Sequence, residues 1–321
     1  MKKGFWKTLQ LPAFVMAPMA DVTDPAYRRI IARVGKPDVT WTEFVSADGL
    51  ALAPKEGREK LIKDLMYTET ERPIVAQLFS GSPEHMESAA RLAVKRGFDG
   101  IDINMGCPDR SIEKQGAGAA MIKNKENAIA VIEGAVRGAG ELPVSVKTRI
   151  GYTKDELSEW LPALLSTDIS TVTIHARTRK EMSDVPAQWE KVKEAVEIRD
   201  ALGIDTLIFG NGDVMSLTEA RERVKESGCD GVMLGRAIFG NPWVFSEYQA
   251  TPKEKLEMLV ELCEAFETLL PHKNFAICKK HFKAFVNGFD GAKELRVELM
   301  EKGNTAAVVR EIVGEAIDSI R

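Results

Sequence analysis

The segment Ile101-Asp-Ile-Asn-Met-Gly-Cys-Pro108 delivers one thiol to the end of a strand. An alternating apolar run stops at Asn104, and the glycine and proline around Cys107 impose a turn. Taken singly, a cysteine at such a place is ordinary packing. Here it has company, because polar residues recur where other strand-like runs end: Gln77, Lys147 with Arg149, His175 with Arg177, Asn211 with Asp213, and Arg236. Loops set on rigid strands are the usual carriers of binding and catalytic groups.

Two of these ends are rich in glycine, Gly210-Asn-Gly-Asp213 and Gly235-Arg236. Glycines let backbone amides approach an anion closely, and an arginine fork adds donors, so the pair reads as a cradle for a phosphate. Lys147 sits one strand from Cys107. A fixed cation there would face the pyrimidine edge of a flavin and stabilise the charge that the ring gains on reduction. Gln77 and the backbone of Pro18, Met19 and Ala20 would bond the ring's carbonyls and nitrogens. The expected ligand is FMN.

Such ends converge only if the strands close on themselves. Strand-like runs recur at 13–18, 39–44, 74–79, 100–104, 144–149, 171–176, 206–210 and 231–235. Between most of them lie amphipathic helical segments, at 25–34, 83–96, 125–137, 154–165, 187–202 and 217–226. This alternation predicts an α/β chain whose parallel strands form a (β/α)8 TIM barrel, with its active site at the C-terminal strand ends and a phosphate site after strands seven and eight. A dinucleotide fold is set aside. The pair Gly116 and Gly118 lies well past the strand end, and Met121 stands where that motif wants a third glycine. Beyond Pro242 the pattern turns wholly helical, with runs at 253–270, 275–286, 292–301 and 305–320. The expected division is a barrel at 1–248 and an appended C-terminal all-helical domain at 249–321.

A formal net charge of −4 writes no general attraction to nucleic acid or anionic membrane into the total. Any polyanion must be met by local basic patches. The four cysteines, Cys107, Cys229, Cys263 and Cys278, show neither metal-ligand spacing nor a disulfide framework, which fits a reducing cytoplasm and no metal site. Met1-Lys-Lys ahead of the apolar 11–20 stretch imitates a signal peptide. Two prolines interrupt that stretch and Asp21 follows it, so a first core strand is expected instead. No run approaches the roughly 18 apolar residues of a membrane span.

A wider set of motifs stands in one order along the chain: Ala17-Pro-Met-Ala-Asp-Val-Thr-Asp24, Gln77 in Ala-Gln-Leu-Phe, Asn104-Met-Gly-Cys-Pro108, Gly116-Ala-Gly-Ala-Ala120, Val146-Lys-Thr-Arg149, His175-Ala-Arg-Thr178, Gly210-Asn-Gly-Asp213 and Gly235-Arg-Ala237. With these the chain resembles the tRNA-dihydrouridine synthases over essentially its whole length. The resemblance implies an FMN barrel with a helical tRNA-binding domain, which uses NADPH to reduce the C5=C6 bond of particular uridines in tRNA. It places FMN against Pro18, Met19, Ala20, Gln77, Lys147, His175, Asn211, Gly212, Asp213, Gly235 and Arg236. Cys107 becomes the proton donor, and Asn104, Arg149 and Arg177 lie toward the uridine. A thiol suits that role, since its ordinary pKa of about 8.5 keeps it protonated at neutral pH yet able to release the proton.

A base inside a stack cannot reach such a site, so the uridine must be extruded and the surrounding RNA needs a docking surface. The basic segment 273–283 is the expected surface, with Lys279, Lys280 and His281 as contacts. Here the chain departs from the family, where arginine often precedes the Lys-His pair; Lys279 cannot supply the same bidentate fork. The loop Asp109-Arg-Ser-Ile-Glu-Lys114 is likewise not the family's commonest version. Two alternatives share parts of the pattern: an FMN oxidoreductase of a free pyrimidine, of the dihydroorotate type, and an RNA-binding protein with a silent barrel. The helical domain argues against the first, and retention of Cys107, Lys147 and His175 against the second. A monomer is the default expectation.

Overall fold

The computed structural model describes residues 4–319. Met1-Lys-Lys, the head of the leader-like stretch, and Ile320, the end of the last expected helix, lie outside them. The chain runs through β1 (Ala13–Met16), α1 (Pro25–Val34), two short strands β2 (Thr40–Trp41) and β3 (Val45–Ser46), and a helix pair, α2 (Ala47–Leu52) and α3 (Lys55–Asp64). It continues with β4 (Ile74–Phe79), α4 (Pro83–Lys95), β5 (Gly100–Met105), the single turn α5 (Arg110–Glu113) and α6 (Lys125–Ala139). The second half alternates regularly: β6 (Val144–Arg149), α7 (Leu157–Leu165), β7 (Thr171–His175), α8 (Trp189–Ala201), β8 (Leu207–Asn211), α9 (Leu217–Ser227) and β9 (Gly231–Leu234).

All the strand pairings are parallel, in the order β1-β9-β8-β7-β6-β5-β4-β2, with β3 also on β4. Asp38 ties the remaining seam between β1 and β2. Its backbone N–H donates to the Phe14 carbonyl at 3.0 Å, and its carboxylate accepts from the Phe14 N–H at 2.7 Å. The result is the expected barrel, nearly closed. The second strand differs from expectation, being split into β2 and β3. At the break, the Thr42 hydroxyl accepts the Gln77 N–H at 3.1 Å, standing in for a ladder carbonyl. The α2–α3 pair was not predicted either. No residue of α3 is buried, so it carries no apolar stripe for periodicity to find.

Side chains alternate across the barrel wall, as strand geometry requires. On β5, Ile101, Ile103 and Met105 pack outward in the layer shared with the helices. Inside, the lower barrel is filled by Trp6, Trp41, Val75, Phe209 and Met233, with Trp6 edge-on to Phe209 at 5.5 Å.

The C-terminal region is helical: α10 (Pro252–Leu269), α11 (Lys279–Phe285), α12 (Ala292–Lys302) and α13 (Ala306–Ser319). The run expected at 275–286 is a tight 3-10 turn, Phe275–Cys278, leading into α11. A capping box between Thr251 and Glu254 starts α10, which lies against α1 and is pinned there by Arg33 and Glu261 at 2.7 Å. Gly240 has a positive φ of 65°, and a Cβ there would stand 2.0 Å from the Ala284 carbonyl, so the loop after β9 abuts α11 directly. Among the described residues no helix is long and apolar enough to cross a membrane.

Among the described residues one ion pair is wholly buried. Arg28 on α1 meets Glu71 at 2.8 Å with both side chains fully inaccessible, and the guanidinium also bonds the Thr23 and Met66 carbonyls. Glu71→Ala would strand that cation in the core. We expect a stability loss of about 3–5 kcal/mol, read from the urea midpoint; a loss under about 1 kcal/mol would mean that the pair is hydrated in solution.

Candidate active site

The site is built where β5 runs out. Asn104, buried at 7 % exposure, turns its Oδ1 onto the backbone N–H groups of Gly106 (3.1 Å) and Cys107 (2.9 Å), so the strand's last polar side chain shapes the loop that follows. The Cys107 carbonyl is held from the other side by Ala119 N–H at 2.9 Å. Gly118, at φ +60°, makes that approach possible, since a Cβ there would lie 2.7 Å from the same carbonyl. Arg149 braces Gly106 through its carbonyl at 2.8 Å, and Arg179 braces Pro108 at 3.1 Å while pairing with Glu113. The half-buried thiol packs beside Phe79, Ile112 and Ala117. Burial pushes its pKa above the ordinary value, with the Asp109 backbone N–H acting in the opposite direction.

Opposite the loop, the ends of β1, β6, β7, β8 and β9 surround a cavity of about 200 Å³. Pro18, Met19, Lys147, His175, Asn211, Gly212, Asp213, Gly235 and Arg236 all line it, as does Arg177. Ala20 lies next along the chain from the lining. Gln77 is fully buried beneath, bonded to Asp102 at 2.6 Å and to Asn104 at 3.1 Å. Lys147 Nζ donates to Asn211 Oδ1 at 3.1 Å, and Asn211 Nδ2 donates to the Met233 carbonyl at 2.7 Å.

Charge dominates this cavity. Burial lowers the Lys147 pKa to about 8; Arg149 adds to the drop, while Asp102 and Cys107 oppose it. His175 falls well below its ordinary value, first through burial and then through Lys147, Arg149, Arg177 and Arg236. It is therefore neutral, and the Arg177 Nη1 group 3.2 Å from Nε2 makes that nitrogen the acceptor and places the proton on Nδ1. Asp213 receives Arg177 at 2.5 Å, the Ala187 N–H at 2.8 Å and the Arg236 guanidinium. Burial raises its pKa, but the Arg177 bond and the Ala187 N–H carry the balance below the ordinary carboxylate range. Lys147, Arg177, Arg236 and the backbone of Gly212 and Gly235, which no side chain covers, suit an anionic, phosphate-bearing ligand.

Several expected contacts have a different setting from the one anticipated. Arg149 and Arg177 are buried at 5 % and 2 % exposure, and their guanidiniums serve the protein's own loops. Arg149 Nη1 bonds the Thr178 and Met182 carbonyls, and Arg177 Nε bonds that of Val185. Lys279 remains on the surface, bonded to the Met300 carbonyl at 2.6 Å, and Lys280 meets Asp21 at 3.1 Å. His281, expected to contact RNA, is instead a core residue. It is 2 % exposed, wedged against Tyr27, Phe239 and Phe285, and burial pushes its pKa down to about 4. Helix geometry explains the split, because 281, 282 and 285 share the inner face of α11 while 279 and 280 look outward.

Two acidic groups were not anticipated. Asp102 lies inside the barrel, its pKa raised to about 6 by burial. The alternation in Ile-Asp-Ile-Asn, which puts it on the Asn104 side of the strand, was the available signal. Glu43, at the break between β2 and β3, is raised to about 7 by burial, against the pull of Lys273. Lys273 reaches across from the helical region to Glu43 (3.1 Å), Asp64 (3.3 Å) and Asp21 (3.9 Å). No local pattern in sequence joins those four residues.

Comparison with known proteins gives a consistent result. A family model described as dihydrouridine synthase matches residues 15–317. A probable tRNA-dihydrouridine synthase 2 of Bacillus subtilis (strain 168) is 39 % identical over 316 residues, covering 96 % of this chain and 95 % of its own. A probable tRNA-dihydrouridine synthase of Staphylococcus aureus (strain COL) is 38 % identical over 311 residues, covering 95 % and 94 %. Among solved structures, histamine dehydrogenase from Rhizobium sp. 4-9 aligns with a TM-score of 0.55 at 14 % identity, over 79 % of this chain and 49 % of that one. Morphinone reductase in complex with tetrahydroNAD gives 0.52 at 14 % identity, over 75 % and 89 %. These last two agree with the chain in fold.

The setting of Cys107 has a measurable result. Cys229, Cys263 and Cys278 are buried, so iodoacetamide on the native protein should label Cys107 alone, with a rate that climbs only above the ordinary thiol pKa of about 8.5. Rapid labelling at pH 7, mapped by peptide mass spectrometry, would mean a thiolate and a nucleophile's environment instead.

Proposed function

The chain belongs to the dihydrouridine synthase family, and from that premise we propose that it reduces uridines of tRNA to 5,6-dihydrouridine with FMN as cofactor and NADPH as reductant. The observation that carries this reading is the meeting, at one barrel mouth, of a protonated thiol on a braced loop and a cavity lined by Lys147, Arg177 and Arg236. FMN, once bound and reduced, would supply the hydride that adds at C6 of the uracil. Asn211, Gly212, Gly235 and Arg236 would hold its phosphate, with Asp213 orienting Arg236. Lys147, His175, Gln77 and the Pro18 to Ala20 backbone would hold the ring. The residues present fit such a group, because the cavity gathers cations whose mutual repulsion an anion relieves.

Cys107 would then give its proton to C5 as charge develops toward the C4 carbonyl. Asn104 and Arg149 act beside it, holding the thiol loop at the uracil, and Arg177 does the same for the rim over His175. The barrel, residues 1–248, is the catalytic unit, and residues 249–321 dock the RNA around an extruded base. Lys279 lines an exposed concavity with Lys283, Lys293 and Arg296 beside Val297, Met300 and Glu301, and its excess of cations suits phosphates. The protein would work as a cytoplasmic monomer.

Flavin-loaded protein should convert unmodified tRNA to dihydrouridine-containing tRNA when NADPH is supplied, scored by nucleoside mass spectrometry. Activity on uracil or orotate with none on tRNA would move the reading to a free pyrimidine. Cys107→Ala should keep its flavin and its NADPH oxidation yet lose on the order of 10²-fold or more in dihydrouridine formation; unchanged turnover would remove the thiol from the reaction. Lys279→Glu should raise the apparent KM for tRNA and reduce the slope of its salt dependence by about 1, and an unaltered slope would place the RNA elsewhere.

A further inference from the structure

The barrel interior holds a carboxylate that touches neither the cavity nor the thiol loop. Asp102 on β5 stands level with Gln77 on β4 and Ser145 on β6 and is 1 % exposed. Its Oδ2 accepts from Gln77 Nε2 at 2.6 Å and its Oδ1 from Ser145 Oγ at 2.5 Å. Gln77 Oε1 accepts from Asn104 Nδ2 at 3.1 Å, and Asn104 Oδ1 accepts from the N–H groups of Gly106 and Cys107. A continuous chain of hydrogen bonds thus joins Asp102 to the backbone of Cys107.

Both ends of that chain demand the same direction, since the N–H groups of Gly106 and Cys107 only donate and the Asp102 carboxylate only accepts. An amide side chain donates from one atom and accepts at another, and beside a neutral partner either orientation can serve. A carboxylate only accepts. Gln77 must therefore turn its NH2 group to Asp102 and its carbonyl to Asn104, and Asn104 must turn its carbonyl to the loop. With both amides reversed, the N–H groups of Gly106 and Cys107 would meet an NH2 group and lose their acceptor.

We infer that Asp102 is a positioning residue for the reaction, locking the buried end of a chain whose far end the loop N–H groups lock, and thereby holding the orientation of both amides, the edge that Gln77 offers a bound flavin and the place at which the loop holds Cys107. This rests on the flavin-dependent reduction proposed above. The network is buried and satisfied at each link named, the condition under which one polar group can specify the arrangement of several others.

Two variants separate positioning from mere stability. Asp102→Asn keeps the volume and the number of bonds but presents a donor as well as an acceptor, so the Asp102 end no longer forbids reversal of Gln77 and only the loop N–H groups oppose it. Ser145→Ala removes the other bond to the same carboxylate and leaves the amide chain intact. In flavin-loaded protein, Asp102→Asn should slow tRNA-driven flavin reoxidation on the order of tenfold to a hundredfold. In flavin-free protein it should speed Cys107 alkylation several-fold as the loop loosens. Ser145→Ala should lower Tm yet leave both rates within about twofold of the parent.

Equal slowing in the two variants, in step with lost stability, would overturn the inference, and so would parental values of both rates in Asp102→Asn. If that variant does not fold, Asp102→Ser, which also donates, takes its place. Parent protein that makes no dihydrouridine would overturn the proposed reaction, and the alkylation comparison would still decide the role of Asp102.

Discussion

Closing parallel strands into a barrel forces half of their side chains into a space that water does not fill, and everything at the mouth depends on how that space is settled. Below, it is settled with rings and methyl groups: Trp6, Trp41, Val75, Phe209. Above, it is settled with polar groups that answer one another from strand to strand, Gln77 to Asp102, Asp102 to Ser145, Lys147 to Asn211, Asn211 to the β9 backbone. A buried polar layer is tolerable only when its members are paired, since an unpaired donor or charge costs far more there than at the surface. The same pairing is what makes the layer rigid enough to aim a thiol.

The cations of the mouth pull the other way. Burial first, and then Lys147, Arg149, Arg177 and Arg236, hold His175 neutral, and Asp213 receives two of the arginines. Like charges gathered in a poorly hydrated site raise the free energy of the protein without ligand, and an anion that enters lowers it. Binding of a phosphate-bearing group is thereby linked to the stability of the whole barrel, by mass action and in proportion to its affinity. The helical region stands on the rim of this site, with Lys273 and Lys280 reaching Asp21, two residues beyond Met19 of the lining.

Much of this was legible before any coordinates. The repeated strand and helix runs carry the barrel because each strand is buried on both faces and each later helix has one apolar side. Cys107, Lys147, His175 and Arg236 could be placed because a polar residue at the end of an apolar strand has few other reasons to be there. What escaped notice shares a cause. Glu43 with Lys273 is a pair more than two hundred residues apart in sequence. Arg149 and Arg177 were expected to lie toward the uridine, and their bonds to loop carbonyls escaped notice because such carbonyls leave no mark in a pattern of side chains. His281 read as one of a basic cluster until the turn of α11 carried it inward.

Gly118 offers a last consequence. In a linear reading Gly116-Ala-Gly118 has the look of half a nucleotide-binding fingerprint, yet its second glycine is there for the carbonyl of Cys107, which leaves no room for a methyl group. The spacing between the thiol and that glycine is thus a dimension of the loop written in residues. In other chains of this architecture, cysteine at the strand end and glycine at this separation should be inherited or lost together. The pair would mark barrels whose loop holds a thiol at the strand end in this way.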